Sequence, residues 1–183
     1  SQVIALALGA KAGETVLDAC AGRGNKTRLL ARAVGPGGAV DAADLYPAKL
    51  DRLREELARL GLAPRDTFAV DWSKGVGAVD RGHGVSLYDR VLVDAPCSGT
   101  GTIRRRPELL STRKAADVAE LAALQRAILA RTAALVRPGG RLIYAVCSVL
   151  RDEAEGVIGA AAELGLVPAP FDSAVADRIA NGG

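Results

Sequence analysis

The chain has 183 residues, 24 Lys+Arg against 21 Asp+Glu and a net charge of +3, the size of one ordinary domain. Apolar residues at 49% and charged residues at 25% exclude disorder as the main state, and no apolar run approaches the ~20 residues that span a bilayer. Met is absent, even at position 1, and no basic leader precedes Val3-Ile4-Ala5-Leu6. The sequence therefore reads as a single domain, 1–183, of a longer protein and not as a secretory precursor.

In chain order, Thr15-Val16-Leu17-Asp18 predicts a short buried strand, and Gly22 and Gly24 a tight turn opening a helix from Asn25 to Val34. Gly35 to Gly38 reads as a loop and Ala39 to Ala43 as a second strand. Pro47 to Leu60 predicts a helix, with Pro in the first turn, Leu50, Leu53, Leu57 and Leu60 on one face and Gly61 as its stop. Thr67 to Val70 and Tyr88 to Val93 read as the third and fourth strands. Ala116 to Val136 predicts a long helix stopped by Pro138-Gly139-Gly140. A fifth strand is expected over Arg141 to Val146 and a last helix over Asp152 to Leu164. Strands alternating with helices predict an α/β, doubly wound, mostly parallel sheet with helices on both faces. Ligands of such sheets bind outside the carboxyl ends of the strands.

That edge is rich in chemistry. Asp18-Ala19-Cys20-Ala21-Gly22-Arg23-Gly24-Asn25-Lys26-Thr27 follows the first strand. Thr27 replaces the third Gly of a dinucleotide fingerprint, and Asn25 precludes a P-loop, so phosphate binding is weakly supported. Asp44 follows the second strand, where an acidic residue accepts from a ribose diol. Asp71 and Asp94 end the third and fourth. One such Asp is usually a turn former. Four at one edge call for a ligand with donors and positive charge, and a nucleoside carrying a sulfonium or ammonium fits better than a dinucleotide.

Cys97 and Cys147 follow the fourth and fifth strands. Either alone reads as packing filler; together, beside Asp94, they make a nucleophile, a resolving group and a carboxyl partner. Cys20 reads as structural. No Cys pair has zinc spacing and His83 is the sole His, so no metal is expected. Three cysteines without a leader favour a reduced, cytoplasmic chain. Arg104-Arg105-Arg106, with Arg113 and Lys114 behind, reads either as a solvated loop or as a phosphate-binding strip. Aromatics at 3% argue against a base-stacking platform.

Three stretches resemble one family. Asp94-Ala95-Pro96-Cys97-Ser98-Gly99-Thr100-Gly101, Arg104-Arg105-Arg106-Pro107-Glu108, and Arg137-Pro138-Gly139-Gly140 leading to Tyr144-Ala145-Val146-Cys147-Ser148 are similar to the Rossmann-like catalytic domain of the Nop/Sun family of S-adenosylmethionine-dependent RNA cytosine-5 methyltransferases. The likeness runs from about Thr15 to Leu164. It implies that Cys20, Ala21, Gly22, Arg23, Gly24, Asn25 and Lys26 line the amino acid and sulfonium part of S-adenosylmethionine. Asp44 would hold the ribose, Asp71 the adenine side, and Asp94 would face both methyl donor and base. Cys147 resembles the family's covalent nucleophile and Cys97 the second cysteine that helps release product. Arg104 to Arg106 would hold RNA phosphates. The expected partner is RNA, ribosomal before transfer RNA, with no membrane.

The chain departs from the family pattern at Gly22-Arg23-Gly24-Asn25, usually Ala-Pro-Gly-Gly, and at Val146, usually Thr. The family's closing segment, with the sheet's last strand or strands, and its amino-terminal RNA-binding extension are expected to belong to the longer protein.

The chemistry explains the residue types. Cytosine carbon 5 is a poor nucleophile, and a thiolate adding at carbon 6 turns it into an enamine. An ordinary thiol is only a few per cent ionised at neutral pH, so Cys147 needs local help, with Lys26 and backbone donors as candidates. Asp94 can bind ring nitrogen 3 or the exocyclic amine. Cys97 or a water would serve the release step. Attack by Cys97, as in DNA cytosine-5 enzymes, and a cofactor-binding RNA scaffold without turnover are the competing readings. Methylation of an exocyclic nitrogen is disfavoured because Cys97 stands where those enzymes carry an aromatic.

Overall fold

The computed structural model describes residues 2–76, 87–112 and 114–171, so His83 and Arg113 lie outside the described residues. Strands β1 (Thr15–Asp18), β2 (Ala39–Asp44), β3 (Asp66–Ala69), β4 (Tyr88–Asp94) and β5 (Val136–Ala145) form one sheet in the order β3-β2-β1-β4-β5. Every pairing is parallel, with Leu17 opposite Asp41 and Val91, and Val93 opposite Tyr144. The expected doubly wound α/β fold is present.

Parallel strands buried on both faces need apolar residues at successive positions, and the side-chain alternation sends them to opposite cores. Val16, Val40 and Leu92 pack with Leu8 of the amino-terminal segment and with Leu30 and Val34 of α2 (Thr27–Val34). Ala42 meets Leu50, Leu53 and Leu57 of α3 (Pro47–Arg59) on the same face. Burying those three leucines contributes roughly 1.5–3 kcal/mol each. Leu17, Ala43, Val91 and Val93 turn the other way, toward Ile128 of α5 (Ala115–Ala133). At the start of α5, Asp117 accepts from the Lys114 amide at 3.0 Å, satisfying one donor of the first turn.

Three expectations are corrected, and two short helices are added. A short helix α1 (Gln2–Ala7) precedes β1, in a stretch too brief for its period to be read. The third strand is shifted one residue toward the amino terminus and ends at Ala69, so Asp71 lies beyond it. Helix α5 stops at Ala133, and Pro138-Gly139-Gly140 lies inside β5 instead of ending the helix. Residues 137–140 bulge where the pairing passes from Tyr88–Val136 to Arg90–Arg141. A Pro without its N–H is tolerated there because β5 is the edge strand of the described sheet. The last helix is not continuous. It divides into a 3₁₀ turn at Arg151–Glu153, α6 (Glu155–Ile158) and another 3₁₀ turn at Ala162–Leu164, with Ala154 at φ −112°, ψ −93° as the break. A short α4 (Leu109–Thr112) lies between β4 and α5.

Candidate active site

The carboxyl ends of β1, β2, β4 and β5 converge, and the residues that leave them divide into an acidic turn and a thiol pair. Gly24 sits at φ +84°, and a Cβ there would come within 2.8 Å of Leu53 Cγ. Only Gly therefore lets the turn lie this close to α3. Asp44 fixes the turn from the side: Oδ2 accepts from the Gly22 amide at 2.9 Å and Oδ1 from the Tyr46 amide at 3.0 Å. Lys49 Nζ lies 3.4 Å from Oδ1. Leu45 and Tyr46, just past Asp44, are exposed large apolar side chains at this edge.

Asp18 is fully buried, and its Oδ2 accepts from Thr27 Oγ1 at 2.8 Å. Burial is the main reason that its carboxyl titrates at about 6 instead of 3.8, against the hydrogen bond from Thr27 and the charge of Lys26, which favour ionisation. Cys20 is likewise pushed up by burial first and then by the charge of Asp18, which keeps its thiol protonated.

Lys26, at the start of α2, forms an ion pair with Asp94 at the end of β4. Both are partly buried, so the pair is screened less than a surface bridge. Asp71, by contrast, is a turn former: its Oδ1 takes the Ser73 amide at 3.0 Å and the Ser73 hydroxyl at 2.6 Å, and Lys74 stands at 3.2 Å. The hydrogen bond from Ser73, ahead of that from Lys74, holds its carboxyl below the ordinary range. The mutual repulsion expected of four strand-end aspartates is thus met largely within the protein. Asp18 alone among them keeps a buried oxygen, Oδ1, without a hydrogen-bond partner.

Cys97 and Cys147 are brought together. Their Sγ atoms are 2.8 Å apart, and the Cys147 amide donates to Cys97 Sγ at 3.2 Å. Cys147 is exposed and Cys97 half-buried. Burial, reinforced by the neighbouring Cys147 sulfur, pushes the Cys97 thiol up to about 12, so it stays protonated at neutral pH. The two loops approach closely because Gly101 carries no side chain: a Cβ there would lie 3.1 Å from the Cys147 carbonyl oxygen, to which the Gly101 amide donates at 3.0 Å.

Beneath the thiols lies a polar cluster that sequence reasoning missed. Glu153 is fully buried and accepts from the Ser98 amide at 2.8 Å, from the Ser98 hydroxyl, and from Gln125 Nε2 at 3.0 Å. No sequence signal marked it, since Glu153 falls in the stretch that reads as the last helix. Arg104, Arg105 and Arg106 are exposed past the Cys97 loop, and Arg106 pairs with Glu108 at 3.1 Å. No group of three metal-ligating side chains occurs among the described residues. No described helix is long and apolar enough to cross a membrane.

A parallel sheet in this order, with an acidic glycine turn at its carboxyl edge, is the architecture of the Rossmann-like S-adenosylmethionine-dependent methyltransferases. Residues 5–166 match the family described as 16S rRNA methyltransferase RsmB/F. The chain belongs to this family, as the Nop/Sun resemblance implied. Over 160 residues it is 41% identical to the probable ribosomal RNA small subunit methyltransferase B of Bacillus subtilis (strain 168), covering 87% of this chain and 35% of that protein. It is 39% identical over 165 residues to the ribosomal RNA small subunit methyltransferase B of Sodalis glossinidius (strain morsitans), covering 87% and 36%. Among solved structures, NSun6 from Pyrococcus horikoshii with SFG, an analogue of S-adenosylmethionine, superposes with a TM-score of 0.81 at 27% identity, covering 93% of this chain and 42% of that one. The chain spans about a third of the length of these curated relatives.

Proposed function

We propose that residues 1–183 are the catalytic domain of an S-adenosylmethionine-dependent methyltransferase acting on carbon 5 of a cytosine in ribosomal RNA, through a covalent cysteine–cytosine adduct. The observation that carries this reading is the contact between Cys97 and Cys147, 2.8 Å apart, on the loops that leave the paired strands β4 and β5, where β4 ends in the Asp94 of the Lys26 ion pair. The names of the small-subunit relatives favour ribosomal over transfer RNA.

The donor set fits the cofactor. Asp18 supplies an unsatisfied buried carboxyl oxygen, Gly22 leaves open space where a side chain would project, and Asp44 and Tyr46 border the position of a ribose and base. S-adenosylmethionine, when bound, supplies an electrophilic methyl on a sulfonium, a cation that an acidic edge attracts.

The residues divide the work as follows. Cys147, the exposed thiol, adds as thiolate to cytosine carbon 6, and the ring becomes an enamine nucleophilic at carbon 5. Asp94 accepts from the exocyclic amine and is held in place by Lys26, whose charge steadies the electron density moving onto the ring. Once carbon 5 carries its methyl, water takes the carbon 5 proton, the carbon 5–carbon 6 double bond re-forms and Cys147 departs as thiolate. Cys97, kept as a neutral thiol by burial, donates a hydrogen bond to the departing sulfur. Arg104, Arg105 and Arg106 border the cleft on the side of the Cys97 loop and hold flanking phosphates.

The test is tritium transfer from labelled cofactor to undermodified ribosomal RNA by the full-length protein, followed by nucleoside analysis. Label in 5-methylcytidine is expected. Label in another nucleoside, or cofactor binding with no transfer, would overturn the reading, the second outcome in favour of a scaffold.

A further inference from the structure

A carboxylate removed from water without a cation beside it is expensive, and one that survives in a fold is held by donors. Glu153 is such a group. The partners that fix it are the amide and hydroxyl of Ser98, from the β4 loop, and the Gln125 side chain of α5, whose Nε2 also donates to the Pro96 carbonyl at 2.8 Å. Ser98 and Gln125, like Glu153, are fully buried. On the β5 side, the Ser148 hydroxyl stands 3.0 Å from Thr100 Oγ1 and 3.3 Å from Ser98 Oγ, and the Tyr144 hydroxyl donates to the Glu153 carbonyl at 2.8 Å. Donors dominate this list. Hydrogen bonds from Ser148, Ser98 and Gln125 outweigh burial, which alone would raise it, and keep the Glu153 carboxyl below its ordinary value.

The two residues tied here, Ser98 and Ser148, are the immediate successors of Cys97 and Cys147. We propose that Glu153 is a positioning residue of the thiol pair: its buried carboxylate clamps the β4 and β5 loops to one another and so sets the contact between Cys97 Sγ and Cys147 Sγ. Glu153 does not touch the thiols, and its effect passes through the Ser98 backbone and the Ser148 hydroxyl. The inference draws its catalytic meaning from the proposed covalent reaction, yet its central readout needs no RNA and no turnover.

Glu153→Gln keeps the shape but removes the charge. Its carbonyl can still accept from the Ser98 amide and Gln125, while its NH2 group forces the Ser98 hydroxyl to turn from donor to acceptor, so the charge-assisted bonds that hold the loops together are weakened. The probe is phenylarsine oxide, a trivalent arsenical that bridges two thiols a few ångströms apart, titrated against the full-length protein with Cys20→Ala in the background. The wild-type pair is expected to bind it tightly and to resist displacement by a monothiol. Glu153→Gln is expected to release it at least tenfold more readily, with cofactor affinity unchanged and a lowered thermal midpoint that still leaves the protein folded at the assay temperature. Its kcat on RNA falls while KM for cofactor is unchanged.

If Glu153→Gln does not fold, Ser98→Ala, which removes one of the donors, is expected to give the same loss in smaller measure, and Gln125→Leu likewise. Arsenical binding and kcat unaltered in any folded variant of the three would overturn the proposal. Weakened thiol bridging in a protein that transfers no methyl to cytosine would leave the clamp standing and remove the proposed function instead.

Discussion

The two halves of this edge are built at different range. In the acidic half, Asp18 meets Thr27 nine residues on, and Asp44 meets Gly22 across 22 residues. One β-α-β unit suffices to assemble it. In the thiol half, Cys97 meets Cys147 across 50 residues and Ser98 meets Glu153 across 55, so nothing forms until β4 and β5 have paired and α5 has packed over them. Loop closure over the longer span must be offset by tertiary contacts. The lesson is a division of labour: the proposed cofactor cradle can pre-form locally, and the proposed covalent centre exists only in the finished fold. Lys26–Asp94, across 68 residues, is the ion pair that ties one half to the other.

The sharpest way to break this comparison is to remove each thiol in the full-length enzyme. Cys147→Ala should lower turnover on the order of 10³-fold or more and form no adduct with RNA on a denaturing gel. Cys97→Ala should also be slow but should trap protein covalently on RNA, because attack and methylation proceed while release fails. A trapped band in the first variant and none in the second would exchange the two roles. Cofactor affinity should move in neither, because the thiols belong to the other half.

The acidic half has its own signature, in pH. Asp18 binds its proton more tightly folded than unfolded, at about 6 against 3.8. A raised folded value means that the ionised form is penalised: the stability tied to protonation is fully present below about 3.8 and is lost as pH rises through 6. About two units correspond to roughly 3 kcal/mol. The difference in denaturation free energy between wild type and Asp18→Asn should therefore change by about that amount between pH 4 and 7, and then stay level. A difference flat across the window would mean that Asp18 ionises freely where it stands.

Removing the Asp44 carboxylate exposes a smaller effect. Asp44→Ala leaves the Gly22 and Tyr46 amides without their acceptor and should weaken S-adenosylmethionine binding by about 10- to 100-fold by calorimetry, in keeping with one or two lost charge-assisted hydrogen bonds. Alkylation rates at Cys147 should be unaltered. Unchanged cofactor affinity would sink the ribose assignment. The mildest expected change is at the rim: replacing Arg104, Arg105 and Arg106 together should reduce the slope of log K against log salt by up to about 3 and weaken RNA binding without sequence preference. An unchanged slope would leave the strip a solvated loop.

The sequence by itself determined that five strands exist, though not all of their bounds, because runs such as Val91-Leu92-Val93 and Val16-Leu17 are buried and read as such without knowledge of their neighbours. It determined much of the acidic turn for a related reason: Thr27 and Gly22 bond to Asp18 and Asp44 within one β-α-β unit, whereas the Lys26 partner, Asp94, comes from 68 residues away. It also presented Asp94, Cys97 and Cys147 as candidates through their place after strands and through family resemblance. Where helices end was less legible: Pro138-Gly139-Gly140 has the composition of a helix stop, yet an edge strand can bulge around it. Glu153 was illegible altogether, since a charged residue in a helical-looking stretch has solvent as its default environment. Only the tertiary structure decided that it turns inward, because the donors that make its burial tolerable arrive from Ser98 and Gln125, 55 and 28 residues away. The same holds for the thiols. Their proximity belongs to the pairing of β4 with β5 and to the hydrogen bonds beneath them, which no local pattern contains.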